Sequence, residues 1–354
     1  MSCDSVIYVR GAPIGMKTKL EDIAREAGVN LSTASRSLSG AYGVHPDTRQ
    51  RVLDIAKRLN YRPNRVARGL VTGRSQTMAL VVSDIRNPFF ADVCRGAEDA
   101  ALEADCDLIV CNSDLDPVKQ MRYIDSLLAK RVDGILMNSV EALSRVQQEQ
   151  LAASGVAVVL LNRTAALKRF STVAADNFEG GALAARLLAG LGHRATANLT
   201  GPRKHGNLTE RTRGFVKTLQ SLPVPDPVVQ FGAHTFEGGH EMSKRLFAAH
   251  PEITAVFAAN DVMAFGCMLA ANELGLRIPR DLSIVGFDNL NVSQIVAPPL
   301  TTIHQPKYEL GKSAMELLLR LAQKKDQEPE HRVIGVRLIE RASCAPPREA
   351  SAGD

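Results

Sequence analysis

No stretch of this 354-residue chain approaches the roughly 20 apolar residues that a membrane-spanning helix needs. The opening "MSCDSVIYVRGAPIGMK" has no apolar core long enough for a secretory leader. The expectation is a soluble, cytoplasmic protein with no membrane partner. Six cysteines, Cys3, Cys94, Cys106, Cys111, Cys267 and Cys344, form no C-x-x-C pair and no Cys/His cluster at zinc spacing, so reduced, mostly buried thiols are expected. Catalytic signatures are missing too: G-x-G-x-x-G, G-x-S-x-G and H-E-x-x-H do not occur. "LGKS" imitates the end of a phosphate loop, but Pro306 stands where the first glycine belongs. No enzyme activity, cofactor or metal site is expected. Tryptophan is absent as well, which leaves no indole fluorescence with which to follow binding.

What the chain does concentrate is positive charge. It nets +5, yet Lys17 to Gln76 alone holds 12 Lys/Arg against 5 Asp/Glu, a balance of +7 that leaves −2 for the rest. A compact basic segment on a mildly acidic body suits a polyanion-binding module on its own domain; an ordinary solvated basic face is the alternative. The length leaves room for two or three domains.

Within the basic segment, "TKLE" predicts a helix start in which Thr18 and Glu21 form a capping box. Leu20, Ile23, Ala24 and Ala27 then share one face, and Gly28 permits a turn. Asn30 is placed to cap a second helix from Leu31 to Leu38, with Ala34 and Leu38 inward and Leu31, Ser32, Thr33, Ser35 and Arg36 outward. Two short helices joined by a Gly-containing turn predict a helix-turn-helix, whose second helix fits the major groove. There Arg36 suits guanine O6 and N7, Ser32 a base edge and Leu31 a thymine methyl, while Thr33 and Ser35 suit phosphate. A surface helical hairpin is the alternative. A third helix, "PDTRQRVLDIAKRLN", opens on Pro46 and presents Val52, Ile55, Ala56 and Leu59 to the other two. "PNRVARGL" reads as helical from Asn64, but it is too short to be stable alone.

From Met78 onward, apolar runs such as "MALVVS", "DLIVCNS", "GILMNS" and "VAVVLLN" alternate with amphipathic segments. "TANLTG", "VVQFG", "AVFAAND" and "SIVGFD" repeat the pattern. The expected fold is α/β: two doubly wound parallel-sheet lobes behind an all-α N-terminal domain. Ligands in such sheets bind beyond the carboxyl ends of strands. That singles out Asp84 to Phe90, Asn162, Gly201 to Asn207, Asn260, Asp261 and Asp288, each of which also suits a cap or turn.

"KLEDIAREAGVNLSTASRSLSG" and "TRQRVLDIAKRLNYRPNRVARGL" resemble the headpiece and hinge of the LacI/GalR family of bacterial transcription regulators. "NPFF", "KRVDGILM", "ERTRGF", "FAANDVMAFG", "SIVGFDN" and "PPLTTIHQP" resemble its effector-binding core, which is similar to periplasmic sugar-binding proteins. The resemblance runs from about Thr18 to Cys344. It implies a homodimeric repressor on a pseudo-palindromic operator in double-stranded DNA, controlled by a small-molecule effector, most simply a sugar. It also implies a hinge that orders only on DNA, where Leu70 wedges into the minor groove; Gly69 beside it lowers helicity by about 1 kcal/mol relative to Ala.

The DNA-binding residues expected from pattern and resemblance together are Thr18, Asn30, Leu31, Ser32, Thr33, Ser35, Arg36, Asn64, Arg65, Ala67 and Leu70. Carried over in the same way, Phe89 supplies a stacking face, Arg211 a forked donor, and Asn260 and Asp288 hydroxyl contacts, with Asn162 and His234 at pocket positions. An ion pair with Asp288 is the alternative for Arg211. "RKHG" adds positive charge beside the cleft and keeps a sugar acid or sugar phosphate open, and "DNFEGG" and "TTIHQPKYELG" are reminiscent of purine- and ribose-responsive branches. The expected organisation is an N-terminal extension (1–16), the helix-turn-helix domain (17–62), the hinge (63–76), the core (77–344) and a disordered tail (345–354). In the core, the first lobe comprises 77–175 and 305–330, and the second 176–304 and 331–344. The tail lacks the apolar heptads of a tetramerisation helix.

Overall fold

The computed structural model describes residues 18–61, 69, 73–138, 143–162, 169–203, 206–323 and 328–348. The chain divides into two compact units, Met1–Ser75 and Gln76–Asp354.

In the first unit, α1 (Leu20–Ala27), α2 (Leu31–Leu38) and α3 (Pro46–Arg58) bury Ile23, Ala24, Ala27, Ala34, Val52, Ile55 and Ala56 in a miniature core. Gly28 adopts φ 65°, the left-handed conformation that ends α1 and opens the turn into α2. The start of α1 differs from expectation. Its cap is Lys19, whose backbone N–H donates to the Asp22 carboxylate at 2.9 Å, while the Thr18 hydroxyl donates to the Leu59 carbonyl at 3.2 Å. Because the helix begins one residue later than "TKLE" suggests, Asp22 rather than Glu21 occupies the position that reaches back, and Thr18 ties α1 to the end of α3. Leu38 is only half-buried; Ser37 is the buried residue of that turn, with its hydroxyl donating to the Thr33 carbonyl at 2.7 Å.

The second unit holds two six-stranded sheets. The first contains β1 (Thr77–Val82), β2 (Asp107–Asn112), β3 (Gly134–Met137), β4 (Ala157–Leu161), β5 (Ser171–Ala175) and β11 (His331–Ile334), ordered β11-β5-β4-β3-β1-β2 and parallel throughout. Three helices lie between these strands in sequence: α4 (Phe89–Glu103), α5 (Pro117–Ala129) and α6 (Arg145–Ala153). The second sheet contains β6 (Thr196–Thr200), β7 (Val228–Phe231), β8 (Ala255–Ala258), β9 (Ser283–Asp288), β10 (Thr301–His304) and β12 (Arg337–Ile339), ordered β12-β10-β9-β8-β6-β7, with only β12 antiparallel. Its helices are α7 (Asn177–Gly190), α8 (Gly206–Gln220), α9 (Phe236–Ala249) and α10 (Asp261–Glu273); α11 (Lys307–Gln323) returns to the first lobe, where Leu310, Ala314 and Leu318 join the buried cluster around β1 and α4. The fully buried strands are continuous apolar runs, as sheets covered on both faces require.

The chain crosses between the lobes three times, around Asp176, around Gln305 and Pro306, and around Gly335. The last crossing corrects the expected return at residue 331: β11 still pairs with β5, and the chain leaves only after Ile334. "HRVIGVRLIE" looks like one strand, but Gly335 divides it into two that serve different sheets.

Glycines meet at three helix crossings. Gly96 of α4 faces Gly311 of α11, Gly181 of α7 faces Gly214 of α8, and Gly239 of α9 faces Gly266 of α10, each with its missing Cβ directed at the opposing backbone. A Cβ on Gly214 would lie 1.9 Å from the Phe178 carbonyl oxygen. Gly214→Ala is therefore expected to cost about 3 kcal/mol, the upper end for overpacking. Urea unfolding of the full chain checks this, and a loss under about 1 kcal/mol would show that the helices separate freely.

Candidate functional site

On the headpiece, α2 is held at its start by Asn30, whose Oδ1 accepts the Thr33 N–H at 2.7 Å and the Ser32 hydroxyl at 2.8 Å. Asn30 thus acts as a cap, and it also orients Ser32. Leu31 is 46% exposed; Ser32, Ser35 and Arg36 are exposed and Thr33 is half-buried. The helix so presents a short face of hydroxyls, one apolar side chain and one guanidinium, and Arg36 has no ion pair among the described residues. Thr18 uses its hydroxyl within the fold, on Leu59. Asn64, Arg65, Ala67 and Leu70 lie outside the described residues.

In the core, a cavity of about 190 Å³ lies between the two lobes. This is small against the roughly 300–1,000 Å³ of drug-sized sites. Phe89, Asn162, Arg211, His234, Asn260 and Asp288 all line it. Phe89 opens α4, and its buried ring meets Phe90 edge to face with centroids 5.0 Å apart. Asn162 follows β4 at φ 51°, a left-handed conformation that Asn tolerates. Asp288 ends β9 at φ 118°, a strained conformation of the kind stored at functional sites.

Arg211 is buried and held on every side. Its Nε donates to Asn177 Oδ1 at 2.8 Å, its Nη1 donates to the Ala259 carbonyl at 2.5 Å and lies 3.5 Å from Asp288 Oδ1, and its guanidinium covers the Phe287 ring at 3.5 Å. Burial lowers the guanidinium to about 10 against the pull of Asp288. Burial also pushes the Asp288 carboxyl up to about 7, with Arg211 opposing it. Arg211 and Asp288 are therefore a buried ion pair and part of the cavity wall at once. Asn260 caps α10: its Oδ1 accepts the Met263 N–H at 2.8 Å and its amide donates to the His234 carbonyl at 3.1 Å. Burial lowers His234, which favours the neutral ring.

The wall also includes Asn138, Glu237 and Gln305, which sequence reasoning missed. Asn138 and Gln305 each stand just after a strand, β3 and β10, so the same rule that found Asn162 would have found them. Glu237 sits in the first turn of α9, with no strand run immediately before it to mark it. Gln305 donates its amide to Asp288 Oδ1 at 2.6 Å, and Lys307 Nζ donates to the Asp288 and Asn289 carbonyls at 2.9 and 3.0 Å. Behind Asp288, the buried Asp261 accepts from Leu290 N–H at 2.8 Å, from the Thr302 hydroxyl at 2.6 Å and from the Ser293 hydroxyl at 2.5 Å. Burial raises it to about 6. In "RKHG", Arg203 lays its guanidinium over the Phe231 ring at 3.8 Å; Lys204 and His205 lie outside the described residues. No helix among the described residues is long and apolar enough to cross a membrane.

Residues 19–64 match the family described as "Bacterial regulatory proteins, lacI family". Residues 75–342 match "Periplasmic binding proteins and sugar binding domain of LacI family". The chain is 35% identical to the catabolite control protein A of Priestia megaterium, over 87% of this chain and 94% of the relative. It is 33% identical to the HTH-type transcriptional repressor PurR of Mannheimia succiniciproducens, over 92% of this chain and 98% of the relative. Among solved structures, the lac repressor dimer bound to operator and the anti-inducer ONPF is similar at a TM-score of 0.84 and 27% identity, over 93% of this chain and all of that one.

Proposed function

Because the chain belongs to the lacI family of bacterial regulatory proteins, we propose that it represses transcription as a cytoplasmic homodimer on a pseudo-palindromic operator and answers to a monosaccharide or sugar derivative held between its lobes. The observation that carries this is one chain bearing both an exposed two-turn helix, whose Arg36 has no ion pair among the described residues, and a separate polar cavity walled by Arg211 and Asp288. Each headpiece takes one half-site, and α2 reads the major groove. Leu269, Leu274, Val292 and Ile295 are exposed apolar side chains on the second lobe, of the kind a second copy would cover. Effector binding favours one arrangement of the lobes, which shifts the hinge between its ordered and unordered states. A purine in place of the sugar is the second reading, favoured by the similarity to the PurR relative.

The test is selection of duplex DNA by the full chain, followed by affinity measurements across salt. A preferred pseudo-palindrome is expected, with affinity falling roughly 1,000-fold or more between 50 and 200 mM salt if six or more phosphates are contacted. Arg36→Ala is expected to reduce discrimination at one base pair by about 1–3 kcal/mol while leaving the salt slope nearly intact. Equal affinity for all duplexes would defeat the regulatory reading. Adding the effector to the same assay assigns the sign of its action.

A further inference from the structure

We propose that the cleft selects an uncharged polyol, a monosaccharide bearing neither phosphate nor carboxylate, and that Asn162 and Gln305 read it by accepting its hydroxyl protons. This rests on the reading of the cleft as the effector site.

The first argument is the demand for donors. Two of the five buried side-chain polar atoms that lack a hydrogen-bond partner among the described residues, Asn162 Oδ1 and Gln305 Oε1, belong to this one cavity wall. Both residues are at least nine-tenths buried, Asn162 at 4% and Gln305 at 0% exposure. They approach from different lobes' strands, Asn162 after β4 and Gln305 after β10. The Gln305 amide nitrogen faces Asp288 Oδ1, the same oxygen that faces Arg211 Nη1 and so serves as an acceptor; the amide oxygen is therefore the free end. A buried acceptor without a donor is costly, and a ligand that supplies one recovers that cost as affinity. A sugar hydroxyl donates. An ionised phosphate or carboxylate oxygen only accepts, and would meet these two oxygens as another lone pair.

The second argument is charge. The two guanidiniums in the described wall are already engaged: Arg86 holds Asp84 through Nε and Nη2 at 2.9 and 3.0 Å, and Arg211 is held by Asp288, Asn177 and Ala259. Asp84, Glu237 and Asp288 set three carboxyl groups against them. A wall in which both guanidiniums already face carboxyl groups offers an anion little, whereas a neutral polyol meets acceptors it can satisfy.

The experiment is calorimetric titration of the full chain with D-ribose, D-xylose, L-arabinose, D-glucose, D-galactose and D-fructose, and with ribose 5-phosphate, glucose 6-phosphate, gluconate and hypoxanthine. A neutral sugar is expected to bind, with its phosphorylated or oxidised form at least about tenfold weaker. Asn162→Gly removes the acceptor without straining a left-handed backbone, and is expected to weaken that sugar on the order of 10- to 100-fold. Asn162→Asp keeps acceptor oxygens at the same backbone conformation and is expected to restore most of the affinity. Gln305→Met is expected to weaken the sugar by a similar factor, with the thermal midpoint of each ligand-free variant confirming the fold. An anion binding more tightly than its neutral parent, hypoxanthine binding alone, or Asn162→Gly binding the sugar as well as the original chain would each overturn the inference. If an anion or purine binds and Asn162→Gly weakens it with the thermal midpoint unchanged, the effector-cleft reading survives and only the polyol inference fails. If nothing in the panel binds, both fail.

Discussion

Arg211→Ala should destabilise the core by about 3–5 kcal/mol and abolish the effect of any effector on operator binding. The guanidinium is the only charged partner within 4 Å of the Asp288 carboxylate among the described residues, and both groups are buried. Removing it leaves a buried carboxyl whose pKa already sits near 7, and which then rises further because the strongest opposition to burial is gone and only Gln305 and Lys307 still counter it. The sign of the pH dependence follows. A carboxyl with a raised folded pKa costs stability as pH climbs through that value, so the defect should be smaller at pH 6 than at pH 8. Urea unfolding at the two pH values measures it. The double replacement Arg211→Met with Asp288→Leu removes both charges, should recover much of the stability and should remain blind to effector, which separates folding from sensing. A single variant as stable as the original chain would mean that water solvates Asp288 and that the pair contributes geometry alone.

Leu70→Ala should weaken operator binding on the order of 100-fold while leaving the thermal midpoint within about a degree, because a wedge residue acts only where base pairs are unstacked. An apolar side chain that closes a short basic run such as "PNRVARGL" has no other evident use in the sequence, and a helix of that length would contribute little stability of its own. Gel-shift affinity on the selected operator, set beside a thermal melt, checks both halves. Intact affinity would remove the wedge, and a lowered melt would place Leu70 in a core instead.

Much of this was legible in the sequence, for reasons that differ from element to element. The three headpiece helices show because their apolar residues recur every three to four positions around a small core. β1, β3, β4, β8 and β9 show because strands covered on both faces must be apolar throughout. β5 and β10 do not, since "STVAA" and "TTIH" mix hydroxyls into runs of four or five residues with no period. Residues at or just beyond strand ends form one rim, which is why Asn162, Asn260 and Asp288 share one cavity, while Arg211, inside α8, is marked only by the family resemblance. What each does there depends on partners that sequence does not reveal: Asn260 caps α10, Arg211 grips Asp288, and Gln305, passed over, carries a free acceptor. The cap of α1 was misplaced because Glu21 and Asp22 are adjacent, and only the register of the helix start chooses between them.

The three strands of chain that link the lobes have a consequence for signalling. Asp176 and Ile334, at two of these links, are joined by a backbone hydrogen bond of 2.9 Å, and the third link begins at Gln305, whose amide grips the cavity residue Asp288. One of the parts that would have to twist for one lobe to turn on the other, the link at Gln305, is thus also part of the cavity wall. No relay through helices is needed from pocket to pivot: a molecule that settles against Gln305 bears directly on the axle.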